Sequence, residues 1–171
     1  VSLVTRFPHV EADRSPYVEA ASAAIGPPVQ DSPAMTDDIR LLAFSAALGF
    51  VHIVAASAAG LGQRGGLAWA AGNRDSEGEV TGAAARLQRA SKNFFETFPL
   101  FAALVLAAAV SGRQGGAVTW GAQLYFWARL LYLPIYGFGI PWIRTPVWGV
   151  AIVGIGFVFA GLFGWAGPGA P

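Results

Sequence analysis

In the run RLQRASKNFFETFPLF, Arg86, Arg89, Asn93 and Glu96 follow one another at intervals of three, four and three residues. At about 3.6 residues per turn, this spacing puts all four on one stripe of a helix, with Lys92 to one side. A second stripe, Tyr125, Arg129, Tyr132 and Tyr136, is spaced four, three and four in YFWARLLYLPIY. Trp127, Leu130 and Leu131 fall on other faces of that helix. Guanidinium groups pair bidentately with carboxylates, so arginines interleaved with Asn and Tyr donors suit a small polyanionic ligand. Arg86, Arg89, Lys92 and Arg129 outnumber the one carboxylate among them, Glu96, which leaves cations for an external partner. The alternative is an interhelical network in which Glu96 neutralises Arg129 and the seams hold helices together.

The elements carrying these stripes belong in a membrane. Of the 171 residues, 54% are apolar and 12% charged, against about 25% charged in soluble domains, and mean hydropathy is +0.50. Four runs reach the roughly 20 residues needed to cross a hydrocarbon core: Ile39 to Leu61, about Ala83 to Val110, Ala117 to Phe138, and Thr145 to Gly167. The predicted fold is therefore all-α, an integral membrane four-helix bundle over residues 35–171. Thr36 to Asp38 are natural caps for the first helix, and Pro146 sits in the first turn expected of the fourth. The runs are continuous rather than alternating, which argues against β-strands. Pro99 cannot donate to the carbonyl of Phe95, so a bend is expected just past Glu96.

A charge near the bilayer centre costs about 2.5–3.5 kcal/mol even on the lenient insertion scale. Arg129 lies mid-run, so it must face protein or a wet cavity. Lys and Arg near the membrane ends gather in the first loop and its flank (Arg64, Arg74, Arg86, Arg89 and Lys92) and in the third (Arg144). The positive-inside rule then puts loops one and three in the cytoplasm and both termini outside. Glycine and alanine abound and lysine occurs once, a bias expected of high-GC bacterial coding, hence a bacterial inner membrane. Residues 1–34 have scattered proline and no sustained period, and are expected to be a disordered tail or a start-site artefact ahead of Met35.

Other residues carry less. Cysteine is absent, so any thiol arrives with a ligand and no thiolate metal site forms. His52 is more readily a hydrogen-bonded interhelical histidine than a proton relay, and no neighbour completes a metal site. His9 lies in the tail. Net charge is +1 with no basic patch, so no nucleic-acid partner is expected. Gly149, Gly156 and Gly164 in the fourth run suggest a close helix-packing face. Trp120, Trp142 and Trp148 fall near the predicted interfaces, as belt residues do.

The two stripes resemble signatures of the MAPEG superfamily, the membrane-associated proteins of eicosanoid and glutathione metabolism. RLQRASKNFFETFPLF is similar to its second-helix pattern, Arg-x-x-Arg-Ala-x-x-Asn-x-x-Glu-x-x-Pro, and YFWARLLYLPIY to its third-helix Ala-Arg-Leu with two tyrosines. The likeness spans about Met35 to Gly167. It implies a homotrimer that binds glutathione between subunits near the cytoplasmic side and uses no metal. Arg89, Asn93 and Glu96 would hold the peptide's carboxylates and amine, with Arg86 and Arg129 in the same set. Tyr132 and Tyr136 would come from the adjacent subunit. Arg144 would be the catalytic residue that stabilises the thiolate, since a nearby cation favours the charged thiol. A lipophilic electrophile reaching the site from the bilayer would be the second substrate of such a transferase or peroxidase. The chain departs from the pattern at Phe138, where family enzymes usually carry a further Arg, and at Thr97, where some carry Tyr. The loop GFGIPWIRT resembles a bacterial branch. The competing class is a non-enzymatic membrane protein whose seams serve oligomerisation or bind another anionic metabolite. A small multidrug carrier fits less well, because the first apolar run has no acidic residue.

Overall fold

The computed structural model describes residues 35–73 and 78–168. Residues 1–34 and Arg74 lie outside the described residues. Five helices follow in order: α1 (Asp37–Leu61), α2 (Gly66–Ala71), α3 (Gly82–Val110), α4 (Gly116–Phe138) and α5 (Pro141–Leu162). No strand occurs among the described residues. The expected runs coincide with α1, α3 and α4 to within two residues at either end.

Apolar runs form these helices, and glycines in the left-handed region punctuate them: Gly65 and Gly66 at the start of α2, Gly115 and Gly116 at the start of α4, and Gly139 after it. The short α2 lies in what the sequence presents as a continuous turn region. Thr36 is the N-cap of α1 without a side-chain cap bond. Its hydroxyl instead accepts from Gln114 Nε2 at 2.9 Å, tying the start of α1 to the α3–α4 turn.

α5 begins earlier than the expected Thr145 and ends at Leu162 rather than Gly167. Pro141 takes the first helical position, where a missing N–H is harmless. Pro146 therefore falls inside the helix. Gly164 at φ 99° turns the chain out at the far end. Helix α3 runs on through Pro99 for 29 residues.

α1, α3 and α5 are long and apolar enough to cross a membrane. α4 is 23 residues long, but Gln123, Arg129 and three tyrosines lower its hydropathy. It packs against α1, α3 and α5, so Tyr125, Arg129 and Tyr132 are buried in protein while Trp127 and Leu131 stay on the outer surface. The core joins Leu41 of α1 with Phe101, Val105 and Ala108 of α3, Val118, Ala122 and Tyr125 of α4, and Ala151, Ile155 and Val158 of α5. The outside is apolar too, with Phe50, Leu106 and Phe159 exposed. A bundle apolar inside and out is suited to lipid.

The close-packing face of α5 is not the expected Gly149, Gly156 and Gly164. A Cβ on Gly149 or Gly156 would meet nothing within 4 Å, whereas Gly154 and Gly161 press on α4. Two glycine pairs with the same seven-residue interval interleave on this helix, and only the second faces a neighbour.

Candidate functional site

On α3 the buried face runs through Ala90, Phe94, Phe101, Val105 and Ala108. The polar stripe flanks it and divides. Arg86 and Asn93 lie at the edge nearest the core and are half-buried, and Thr97 lies there too. Arg89 and Glu96 are roughly 70° further round the helix at 100° per residue, and both are exposed. Lys92 is exposed as well.

Arg129 is fully buried. Its Nη1 donates to Asn93 Oδ1 at 2.8 Å and its Nη2 to Thr97 Oγ1 at 2.7 Å. The rings of Tyr125 and Tyr132 lie 5.5 Å on either count from the guanidinium carbon. The Thr97 hydroxyl donates to the carbonyl of Phe94 at 3.2 Å. Its single hydrogen is then spent, so at the 3.3 Å contact with Tyr125 the phenol is the donor. The expected alternative, Glu96 neutralising Arg129, is not made. Among the described residues the one salt bridge joins Arg40 to Asp37. The buried cation is held instead by an amide oxygen, a hydroxyl and two aromatic faces, each a favourable but uncharged partner.

Beside this network is a pocket of about 270 Å³, lined by Asn93, Tyr132, Tyr136, Arg144, Thr145 and Trp148. Tyr132 and Tyr136, one turn apart at the end of α4, lie with ring centroids 5.3 Å apart. The short 139–140 turn places Arg144 in the first turn of α5, its guanidinium 5.3 Å from the Tyr136 centroid. Arg144 is exposed. Every group on this wall can donate a hydrogen bond, and no carboxylate among the described residues lines it.

Arg86 is turned toward the end of α4 instead. Its Nε donates to the Gly137 carbonyl at 3.1 Å, where a cation offsets the negative end of the helix dipole. The structure thus brings Asn93, Tyr132, Tyr136 and Arg144 to one pocket, with Arg129 behind it. Arg86 stands at its margin, and Arg89 and Glu96 are exposed. Thr97, Thr145 and Trp148 join the site without having been expected there. Thr97 follows Asn93 by four residues, so the same helical count that found the stripe places it there. Thr145 and Trp148 carry no such signal until α5 is known to start at Pro141. His52 is not the hydrogen-bonded histidine expected: it is buried against the ring of Phe94, centroids 4.6 Å apart, and neither nitrogen has a partner among the described residues.

Among the described residues no group of three metal-ligating side chains gathers. The architecture defines a membrane-embedded helical bundle with a donor-lined pocket at one end of its polar seams. The MAPEG family profile matches residues 41–164, most of the chain, and this protein belongs to the MAPEG family. No curated protein matches it. The family includes glutathione-dependent transferases and peroxidases.

Proposed function

We propose that this chain is a membrane-bound glutathione-dependent transferase or peroxidase acting on lipophilic electrophiles. The observation that carries the proposal is the pocket itself: Asn93, Tyr132, Tyr136 and Arg144 present donors and a cation with no carboxylate among them. A tripeptide with two carboxylates and a thiol matches such a wall. Arg144 lines the pocket beside Tyr136, and a cation there favours the thiolate over the thiol. The sulfur then attacks an apolar electrophile, a C–S bond forms, and the leaving group or the acceptor's electron pair takes up the displaced charge. With a lipid hydroperoxide, two glutathiones give one disulfide, an alcohol and water.

Arg89 and Glu96 are exposed on this protomer, so they reach the ligand only where a second copy adds another wall. That favours binding between subunits of a homotrimer. The pocket sits where α4 ends and α5 begins, on the side that the Lys and Arg excess assigns to the cytoplasm, in a bacterial inner membrane. A second reading rests on Arg129. Its two bonds to Asn93 and Thr97 are what a seam serving only to hold helices together would show, with the pocket taking another anionic metabolite or nothing.

Calorimetry on the detergent-solubilised protein separates the two. Glutathione binding that Tyr132→Phe and Arg144→Ala each weaken is expected. Absence of binding at millimolar glutathione would sink the transferase reading. Stopped-flow detection of thiolate absorbance, present in the parent and absent in Arg144→Ala, distinguishes an enzyme from a binder.

A further inference from the structure

A guanidinium has hydrogens to give and no lone pair to accept with. Whatever part of the Asn93 carboxamide meets Arg129 Nη1 at 2.8 Å must therefore be its oxygen. The amide cannot flip without setting N–H against N–H. Its nitrogen then points the other way. Asn93 lines the pocket, and its Nδ2 donates to no acceptor among the described residues and is not among the buried unbonded atoms. Arg129, at zero exposure, does not line the pocket itself.

We infer that Arg129 and Thr97 are positioning residues that lock the Asn93 amide with its NH2 facing the pocket, so that this position accepts only a hydrogen-bond acceptor such as a carboxylate or thiolate. Thr97 completes the lock because one donor of Arg129 goes to each partner. With Thr97 Oγ1 in place the guanidinium plane is fixed at two points, and Asn93 inherits that orientation. The device also explains why a buried cation stands here without a carboxylate. A carboxylate at position 93 would satisfy Arg129 better but would turn an acceptor toward the ligand. The inference rests on the proposal that the pocket takes an anion, while the lock itself needs only this chain's own residues.

The test uses the full chain in detergent. Asn73 and Asn93 are the only asparagines, so selective 15N-asparagine labelling gives two side-chain amide signals, and Asn73→Ser assigns them. In the parent without ligand, the Asn93 NH2 is expected to be rigid, with a 15N heteronuclear NOE as high as that of the helix backbone. Thr97→Val should lower that NOE toward the value of a freely turning side chain, and Thr97→Ser should restore it. An NOE unchanged by Thr97→Val would overturn the lock, whether or not glutathione binds. Asn93→Asp keeps the shape and pairs with Arg129, so the melting temperature should hold or rise. Glutathione affinity should nonetheless fall about tenfold or more. Retained affinity in Asn93→Asp would overturn the reading of position 93 as a donor. Failure of the parent to bind glutathione while the amide behaves as described would remove the proposed ligand and leave the lock standing.

Discussion

Gly121 and Gly154 meet so closely that a Cβ built on Gly121 would lie 2.5 Å from the Gly154 carbonyl oxygen, and one on Gly154 would lie 2.8 Å from the Gly121 oxygen. The obstacles are backbone atoms, which cannot swing aside as a side chain can. This contact sets how α4 and α5 lie together. Between them these two helices carry Tyr132, Tyr136, Arg144, Thr145 and Trp148, so the pocket's shape depends on two residues that never touch it.

Gly154→Ala should therefore destabilise the bundle by about 1–3 kcal/mol, the usual range for overpacking, and weaken glutathione binding with it. Gly149→Ala is the matched control on the same helix, since its Cβ meets nothing within 4 Å. There the gain in helix propensity should leave stability unchanged or slightly raised. Thermal unfolding in one detergent reads both, and equal losses from the two changes would contradict the close approach of Gly154 to Gly121.

The contrast between these glycines shows what sequence conveys and what it withholds. Apolar runs of 20 or more residues mark α1, α3 and α4 because a bilayer demands length, and length survives in sequence. The two polar stripes survive for the same kind of reason, since helical periodicity is a local property. Which edge of a stripe meets a neighbour is not local. Arg89 and Asn93 read alike along the chain, yet one is exposed and the other bonds a buried arginine. Thr97 reads as a departure from the family pattern, and only the approach of α4 turns it into the second acceptor for Arg129. Gly149 and Gly154 differ in the same way: their spacing offers two interleaved faces, and packing selects one.

Arg129→Lys should be far from conservative. The guanidinium reaches Asn93 and Thr97 with separate nitrogens, and its carbon lies 5.5 Å from the ring centroids of both Tyr125 and Tyr132. A single ammonium cannot span both acceptors in that plane. Loss of one buried bond leaves an acceptor unmet, for about 1–3 kcal/mol. The expected readout is a lower melting temperature together with weaker glutathione binding. A melting temperature equal to the parent's would show that the two-point grip is unimportant.

Two other buried groups should respond in the opposite sense. Ser45 Oγ and both ring nitrogens of His52 are buried on α1 with no hydrogen-bond partner among the described residues. Replacing an unbonded polar group with an apolar one of similar shape removes a desolvation penalty of about 1–3 kcal/mol. Ser45→Ala and His52→Leu are thus expected to raise the melting temperature, with His52→Leu gaining less because it forfeits the ring stacking on Phe94. If His52→Leu instead abolishes activity while the fold holds, the histidine serves the chemistry and not the packing.

Arg86 and Arg144 stand at the same end of the bundle and should part company on mutation. Arg86 Nε is engaged by the Gly137 carbonyl, so Arg86→Met should loosen the end of α4 and lower stability by about 0.5–1.5 kcal/mol. Arg144 is exposed and bonded to no acceptor among the described residues, resting over the Tyr136 ring. Its loss should barely move the melting temperature while removing the thiolate signal. Being solvent-exposed, its attraction for an anion is also screened by salt within about 10 Å at 0.1 M ionic strength. Glutathione affinity in the parent should therefore decline as salt rises, and that decline should flatten in Arg144→Ala. The same salt slope in both proteins would mean that another cation, Arg89 of a neighbouring copy first among them, supplies the charge that the ligand feels.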